Sequence, residues 1–404
     1  MYKPLCESYP MFRATKYRIY PNAEQEVLLA KHFGCVRWLY NRALASKKEA
    51  WEAEKRNVTR YDLSAEIPKF KKAEETSWLK EVNSQSLQAA LVNLDMAYTR
   101  FFREKKGFPK FKSKHHRQSF QVPQSGVVGD DFIQIPKVGK LKARISRQIE
   151  GRIKTITISK THTGKYFASI LVEDGTELPE KLPVTEAGTV GIDLGLKHYA
   201  VLSTGEVVAN PHPLKKRLKR LRRAQRRMSR RTKGGANRNK QRRVVAKIHE
   251  RVRNTRNDFL HQLTTRLVRD NQTDSFAIED LAVANMCKNH RLARSIADAG
   301  WGTFRTFLEY KAEQAGKNTL VIGRFEPSSK TDHKTGAYLP DLKLSDRVIR
   351  HSDGTTTCRD LNAAIIIKRF ALHPQNKSVA SEGRETTPVE TVNRWSSKQE
   401  SPCL

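Results

Sequence analysis

Residues 189–210 read TVGIDLGLKHYAVLSTGEVVAN, a run of apolar segments broken at Gly195 and Gly205. Such breaks join consecutive antiparallel strands through tight turns. Asp193 sits inside the first apolar segment. A carboxylate in an apolar strand costs desolvation and persists when something cationic pairs with it. Outward along the chain, SFAIEDL (275–281) and TLVIGRF (319–325) read as further short buried strands, each preceded by helix, with Glu279 at the end of the first. RDLNAA (359–364) then places Asp360 at a helix start. Taken singly, each acid reads equally well as a turn residue, a helix cap or a surface ion-pair partner. The order strand-Asp, strand-Glu, helix-Asp is more specific. Three convergent carboxylates can hold two magnesium ions, which activate a water and stabilise the leaving oxygen of a phosphodiester. Asp280 points to the opposite face of a regular strand and reads as structural.

Between the first and second of these acids lies a charge anomaly. Residues 214–256 carry twenty Lys or Arg against one acid, Glu250. Leu214, Leu218, Leu221 and Met228, then Val245, Ile248 and Val252, keep helical spacing on either side of Gly234-Gly235. The pattern predicts a helical hairpin with one packed stripe and basic outer faces. A solvated surface is the ordinary reading of a charge run. Like charges one turn apart repel, however, unless a polyanion lies against them, so Arg222, Arg223, Arg226 and Arg227 are candidate phosphate contacts.

The whole chain agrees with that reading. Its 404 residues carry a net charge of +34 and are 38% hydrophobic, enough for real cores and strongly attractive to nucleic acid. No run of about eighteen apolar residues is present to span a bilayer, and the N-terminus lacks the apolar core of a signal peptide, so a cytoplasmic protein with no membrane role is expected. Five scattered cysteines with no CxxC pair suggest neither a disulfide framework nor a thiolate knuckle.

Residues 1–10 read as an N-terminal extension. Residues 11–21 form a strand, and 22–106 are helical, with apolar spacing through Val36, Leu39, Tyr40 and Ala43 and again through Leu87, Leu91, Leu94 and Ala97. Short alternating runs over 107–180 make a small β-barrel or sandwich together with 11–21. A linker precedes a second domain over 188–325 and 359–372, with 326–358 inserted and 373–404 a polar, disordered tail. Lys110 and Lys112 are interleaved with Phe108 and Phe111 as in a phosphate-contact and stacking surface, although the two Phe could instead close the barrel. Tyr61, Ser64 and Gln88 fall on polar helical faces and could read base edges or be ordinary surface residues.

GIDLGLKHYAVLSTGE (191–206), AIEDLAVANM (277–286), SIADAGWGTFRTFLEYKAE (295–313) and RDLNAAIIIKRFA (359–371) together resemble the TnpB (OrfB) proteins of insertion sequences, which are similar to the miniature type V CRISPR effectors. YRIYPNAEQ (17–25), GCVRWLYN (34–41), AEETSWLKEV (73–82), AYTRFFR (97–103) and GFPKFKSK (107–114) extend the resemblance over most of 11–372. It implies an α+β multidomain protein: a wedge β-barrel split by a helical recognition region, then a RuvC domain of ribonuclease H fold. It also implies an RNA-guided DNA endonuclease with catalytic acids at Asp193, Glu279 and Asp360. The implied partners are a guide RNA and double-stranded target DNA with a short adjacent motif, read by the N-terminal region where Tyr61, Ser64 and Gln88 lie.

The resemblance also implies a zinc held by two CxxCG pairs between the last strand and Asp360. Here SSKTDHKTG (328–336) puts Asp332 and Thr335 at the first pair, and RHSDG (350–354) puts Arg350 and Asp353 at the second. All four thiolates are missing, so no zinc and a mobile segment ordered by Leu342, Leu344 and Val348 are expected. A substitute site from Asp332, His333, His351, Asp353 and Cys358 is the alternative. Two other functions stay open: an RNA-guided DNA-binding protein with weak or no cleavage because the insert is degenerate, and a conventional DNA transposase, for which the chain shows no His-hydrophobic-His with a Tyr nucleophile.

Overall fold

The computed structural model describes residues 10–270, 272–343 and 346–374. The extension before residue 10, Leu344 and the tail beyond residue 374 lie outside the described residues. The chain divides into two compact units, Met1–Glu177 and Leu178–Leu404.

The first unit opens with β1 (Pro10–Tyr20) and three helices, α1 (Ala23–Glu54), α2 (Arg60–Lys72) and α3 (Ser84–Glu104). Helix α1 starts within one residue of the expected boundary at 22. The Asn22 side chain accepts from the Gln25 amide at 2.8 Å, and the Gln25 side chain accepts in return from the Asn22 amide at 3.1 Å. That exchange satisfies two donors a helix start leaves open.

Six strands follow: β2 (Gln118–Val122), β3 (Val127–Val128), β4 (Phe132–Ile135), β5 (Gly139–Arg144), β6 (Arg152–Lys160) and β7 (Tyr166–Glu177). With β1 they make one sheet in the order β2-β6-β7-β1-β5-β4-β3, so β1 lies between β7 and β5. The expected barrel is an open half-barrel, because the edge strands β2 and β3 do not pair with each other. Strand β3 has only two residues to offer, and helix covers β2 instead: Phe120 stacks on His32 at 4.9 Å and meets Phe33 edge-on at 5.3 Å. Phe108 and Phe111 close nothing. Both are exposed, and Phe108 packs edge-on against Tyr98 and Phe101 at the end of α3.

The second unit is built on β8 (Thr189–Leu194), β9 (His198–Leu202), β10 (Val207–Ala209), β11 (Ser275–Glu279) and β12 (Asn318–Ile322), in the order β10-β9-β8-β11-β12. The three strands of 189–210 are antiparallel neighbours, while β8, β11 and β12 run parallel. Between β10 and β11 run α4 (Pro213–Ser229) and α5 (Ala236–Arg269). Between β11 and β12 come α6 (Val283–Met286), α7 (Ala293–Ala299) and α8 (Trp301–Gln314). After β12 a 3₁₀ turn (Ser328–Lys330) and a hairpin of β13 (Val348–Arg350) and β14 (Thr356–Cys358) lead into α9 (Arg359–Leu372).

One sheet face, with Ile192, Phe276 and Ile278, packs against Leu260 and Leu263 of α5 and Phe304 and Leu308 of α8. The other, with Ala277 and Ile322, packs against Ile366, Ile367 and Phe370 of α9. Gly191 makes this second contact possible. A Cβ there would stand 2.0 Å from the Ala364 carbonyl oxygen, so only glycine lets α9 lie directly on β8. No described helix is long and apolar enough to cross a membrane.

The basic hairpin forms as the spacing predicts. Leu214, Leu221 and Ala224 of α4 pack on Val245, Ile248 and Val252 of α5, with Met228 at the edge. Its base is anchored by Asp298 of α7, a buried carboxylate that accepts from the Leu214 amide at 2.9 Å and 3.0 Å. An acid at a helix N-terminus satisfies open amide donors and complements the dipole.

Candidate functional site

Strands β8 and β11 pair in parallel with Ile278 opposite Ile192. The next residue on each strand is therefore an acid, Asp193 beside Glu279, at the carboxyl ends of two adjacent strands. The preceding residues Val190 to Ile192 and Ser275 to Ile278 are buried, so the apolar sequence drives both strands inward and carries the carboxylates with it. Asp360 stands in the first turn of α9, one turn before the Ala364 carbonyl that rests on Gly191. A helix N-terminus is a favourable place for an anion.

Glu279 and Asp360 are close enough to Asp193 to perturb it. Burial, then the charges of Glu279 and Asp360, push the Asp193 carboxyl up to about 7, against a smaller opposing pull from Arg359. Burial also holds Glu279 above the ordinary carboxylate range, partly offset by the Ser328 hydroxyl, which donates to Glu279 Oε1. Such crowding would suit a hard divalent cation, through oxygen ligands, excess negative charge and a carboxyl that a cation would return to its ionised form. Asp280 takes no part. Its two oxygens bind Arg305 at 2.8 Å and Arg324 at 2.7 Å, fixing the end of β11.

The raised Asp193 value has a measurable consequence in metal-free protein. A carboxyl whose folded-state pKa exceeds its unfolded value stabilises the fold at low pH and loses that contribution as pH rises through the folded value, here about 7. Asp193→Asn should therefore raise the melting temperature at pH 8, by ~2–4 °C for each kcal/mol of repulsion relieved in a domain of this size. At pH 5 less than half the gain should remain. Thermal scans at the two pH values check it, and a lower melting temperature for the variant at pH 8 would contradict the crowding.

The other predicted residues are scattered over surfaces. Arg222, Arg223, Arg226 and Arg227 are all exposed on α4. Lys110 is exposed, whereas the Lys112 ammonium lies 3.8 Å from the centre of the Tyr40 ring, with its backbone bonded in both directions to Asn41. Tyr61 is 74% exposed on α2 with the Arg60 guanidinium 5.0 Å from its ring, Ser64 is half-buried, and Gln88 is exposed on α3.

The insert is better tied than its sequence suggests. Asp332, His333 and His351 bring their potential ligand atoms within 4.8 Å of one another. Of the remaining zinc-pair positions, the Thr335 hydroxyl accepts from the Ala337 amide, Arg350 is exposed, and Asp353 pairs with Lys334 at 2.6 Å. Val348 is exposed and Ile349 buried, so the packed residue of β13 is one position along from the expected one. Sequence reasoning passed over Ser328 and Asn362. Both are buried polar residues, one bonded to Glu279 and the other two positions beyond Asp360.

The chain is similar to several known proteins. A family described as "Probable transposase" matches residues 169–290, a "Helix-turn-helix domain" family matches 11–56, and a "Cas12f1-like, TNB domain" family matches 301–367. In this chain 11–56 is a strand followed by a single long helix. A Streptomyces pristinaespiralis protein whose provisional name is RNA-guided DNA endonuclease is 43% identical over 87% of both chains. Its Escherichia coli counterpart InsQ, provisionally named in the same way, is 34% identical over 77% of this chain and 80% of its own. A Cas12f1 chain, solved by cryo-EM in complex with sgRNA and target DNA, matches with a TM-score of 0.55 at 13% identity, covering 89% of this chain and 99% of that one, and so shares the fold. Relatives at this level of identity along nearly their full length place the chain in the TnpB (OrfB) family of insertion-sequence proteins.

Proposed function

We propose that this chain is an RNA-guided, magnesium-dependent DNA endonuclease whose RuvC-type site consists of Asp193, Glu279 and Asp360. The observation that carries the reading is the convergence of three acids on the ends of β8 and β11 and the start of α9, crowded enough to hold Asp193 near 7. Two magnesium ions there would supply an activated water and stabilisation of the leaving oxygen. The protein's own part is to hold the ligands. The parallel pairing of β8 and β11 fixes the first two side by side, Gly191 seats α9 so that the third arrives, and the apolar strands beneath limit water.

Guide RNA and double-stranded DNA as partners are supported by the names of the two close relatives and by the net charge of +34. The exposed arginines of α4 would contact phosphates, and Tyr61, Ser64 and Gln88 would read the short motif beside the target. The test is to sequence the RNA that copurifies with the protein, then supply that RNA with matched and mismatched duplexes. Cleavage of the matched duplex alone, requiring magnesium, is the expected result. Absence of a discrete RNA species, or cleavage indifferent to its sequence, would refute the guided reading.

A further inference from the structure

The insert between β12 and α9 touches the proposed site at two points. At its entrance the buried Ser328 hydroxyl donates to Glu279 Oε1. At its exit Asn362, fully buried in α9 two residues after Asp360, accepts at Oδ1 from both the backbone amide and the ring Nδ1 of His333, each at 2.9 Å. The Asn362 amide also donates to the Thr331 carbonyl at 2.7 Å. The turn at 331–333 is thus bonded to the helix that carries one acid, and the turn before it to another acid.

The insert's two glycine turns, at Gly336 and Gly354, are joined to each other as well. His351 Nδ1 lies 2.8 Å from Asp332 Oδ1, and both side chains are buried. An ionised carboxylate can only accept, so the ring nitrogen bonded to Asp332 acts as the donor. The far nitrogen, Nε2, is 2.7 Å from the Thr357 hydroxyl. Outside this pair, Lys334 reaches Asp353 at 2.6 Å and Thr355 at 2.5 Å. Each carboxylate that replaces a thiolate is therefore already matched to a cation or a ring N–H.

The side chains of Asp332, His333 and His351 converge as metal ligands do, yet each has a potential ligand atom taken by a hydrogen bond within the insert or to α9. Asp332 Oδ1 takes the His351 ring and the Lys334 amide, and His333 Nδ1 is committed to Asn362. We propose that residues 326–343 and 346–358 form a metal-free clasp, closed by Asp332–His351 and Lys334–Asp353, in which Ser328 and Asn362 are positioning residues that hold Glu279 and the Asp360 helix for magnesium. The magnesium part of this inference rests on the proposed function; the metal-free closure does not.

Two measurements on full-length, RNA-free protein separate them. Elemental analysis and thermal scans with and without a chelator test the closure. Less than a tenth of a zinc per chain, on the order-of-magnitude view that a structural site would be filled, and an unchanged melting temperature are expected. One zinc per chain, or a melting temperature lowered by chelation, would overturn the clasp and make Asp332, His333 and His351 its ligands.

Magnesium titration monitored by the rise in melting temperature tests the positioning. Ser328→Ala should require about 10–100-fold more magnesium for the same rise, as loss of a partner behind a metal ligand typically does. Its melting temperature without magnesium should stay near wild type, and Ser328→Thr should restore the titration. Equal titrations for wild type and Ser328→Ala would overturn the positioning role. A wild type that magnesium does not stabilise at all would instead sink the magnesium site on which it rests.

Discussion

Asp193→Ala, Glu279→Ala and Asp360→Ala should each reduce cleavage of a guide-matched duplex by on the order of a thousandfold or more, the scale expected when a group stabilising transition-state charge is removed. Each variant should still bind guide RNA like the wild type. The acids lie at the ends of β8 and β11 and the start of α9, whereas the arginines proposed to contact RNA stand exposed on α4. Cleavage and RNA affinity should be measured on the same preparations, so that misfolding, which would lower both, is separated from loss of a ligand. The effects should not add. A double variant of Asp193 and Glu279 should be no slower than the slower single one, because residues acting as a unit fail together. Cleavage that persists in all three single variants would remove these acids from the mechanism.

The second large effect belongs to the basic hairpin. Affinity for guide RNA should fall steeply with salt, and replacing Arg222, Arg223, Arg226 and Arg227 together with Gln should flatten the plot of log affinity against log salt. Each phosphate contact contributes about 0.7–0.9 units of slope, so four lost contacts amount to roughly three units. The stripe that closes the hairpin, Leu214, Leu221 and Ala224 on Val245, Ile248 and Val252, contains none of these arginines. The melting temperature of the variant should therefore stay within a few degrees of wild type. A slope unchanged by the four substitutions would return the run to an ordinary solvated surface.

How much of this was legible in the chain depends on whether a feature is local. The placement of Asp193, Glu279 and Asp360 at strand ends and a helix start was legible because each ends or begins an element whose pattern is visible in a few residues. The hairpin was legible because its stripe repeats at helical period across Gly234-Gly235. Closure of the first sheet was not, since whether β2 meets β3 depends on edges brought together from distant positions, and helix packing on Phe120 decided the matter. In the insert the reading chose Val348 where Ile349 is buried, and a one-residue slip in a strand exchanges its faces. Ser328 and Asn362 carried no signal of their own. Small polar residues are common in turns and helices, and only tertiary packing shows that these two are buried and bonded.

The position of α9 in the chain also orders events in time. Strand β8, the basic hairpin and β11 all leave the ribosome before α9, and the hairpin closes through contacts within its own two helices. At about 5–20 residues per second, synthesis from the end of the hairpin's packed stripe to the end of α9 takes roughly ten seconds. During that interval the arginine surface exists while the third carboxylate does not, and the seat over Gly191 is still empty. Under the proposed function, the arginine surface would thus be able to capture RNA before the cutting centre is complete, leaving the chain time to acquire its guide.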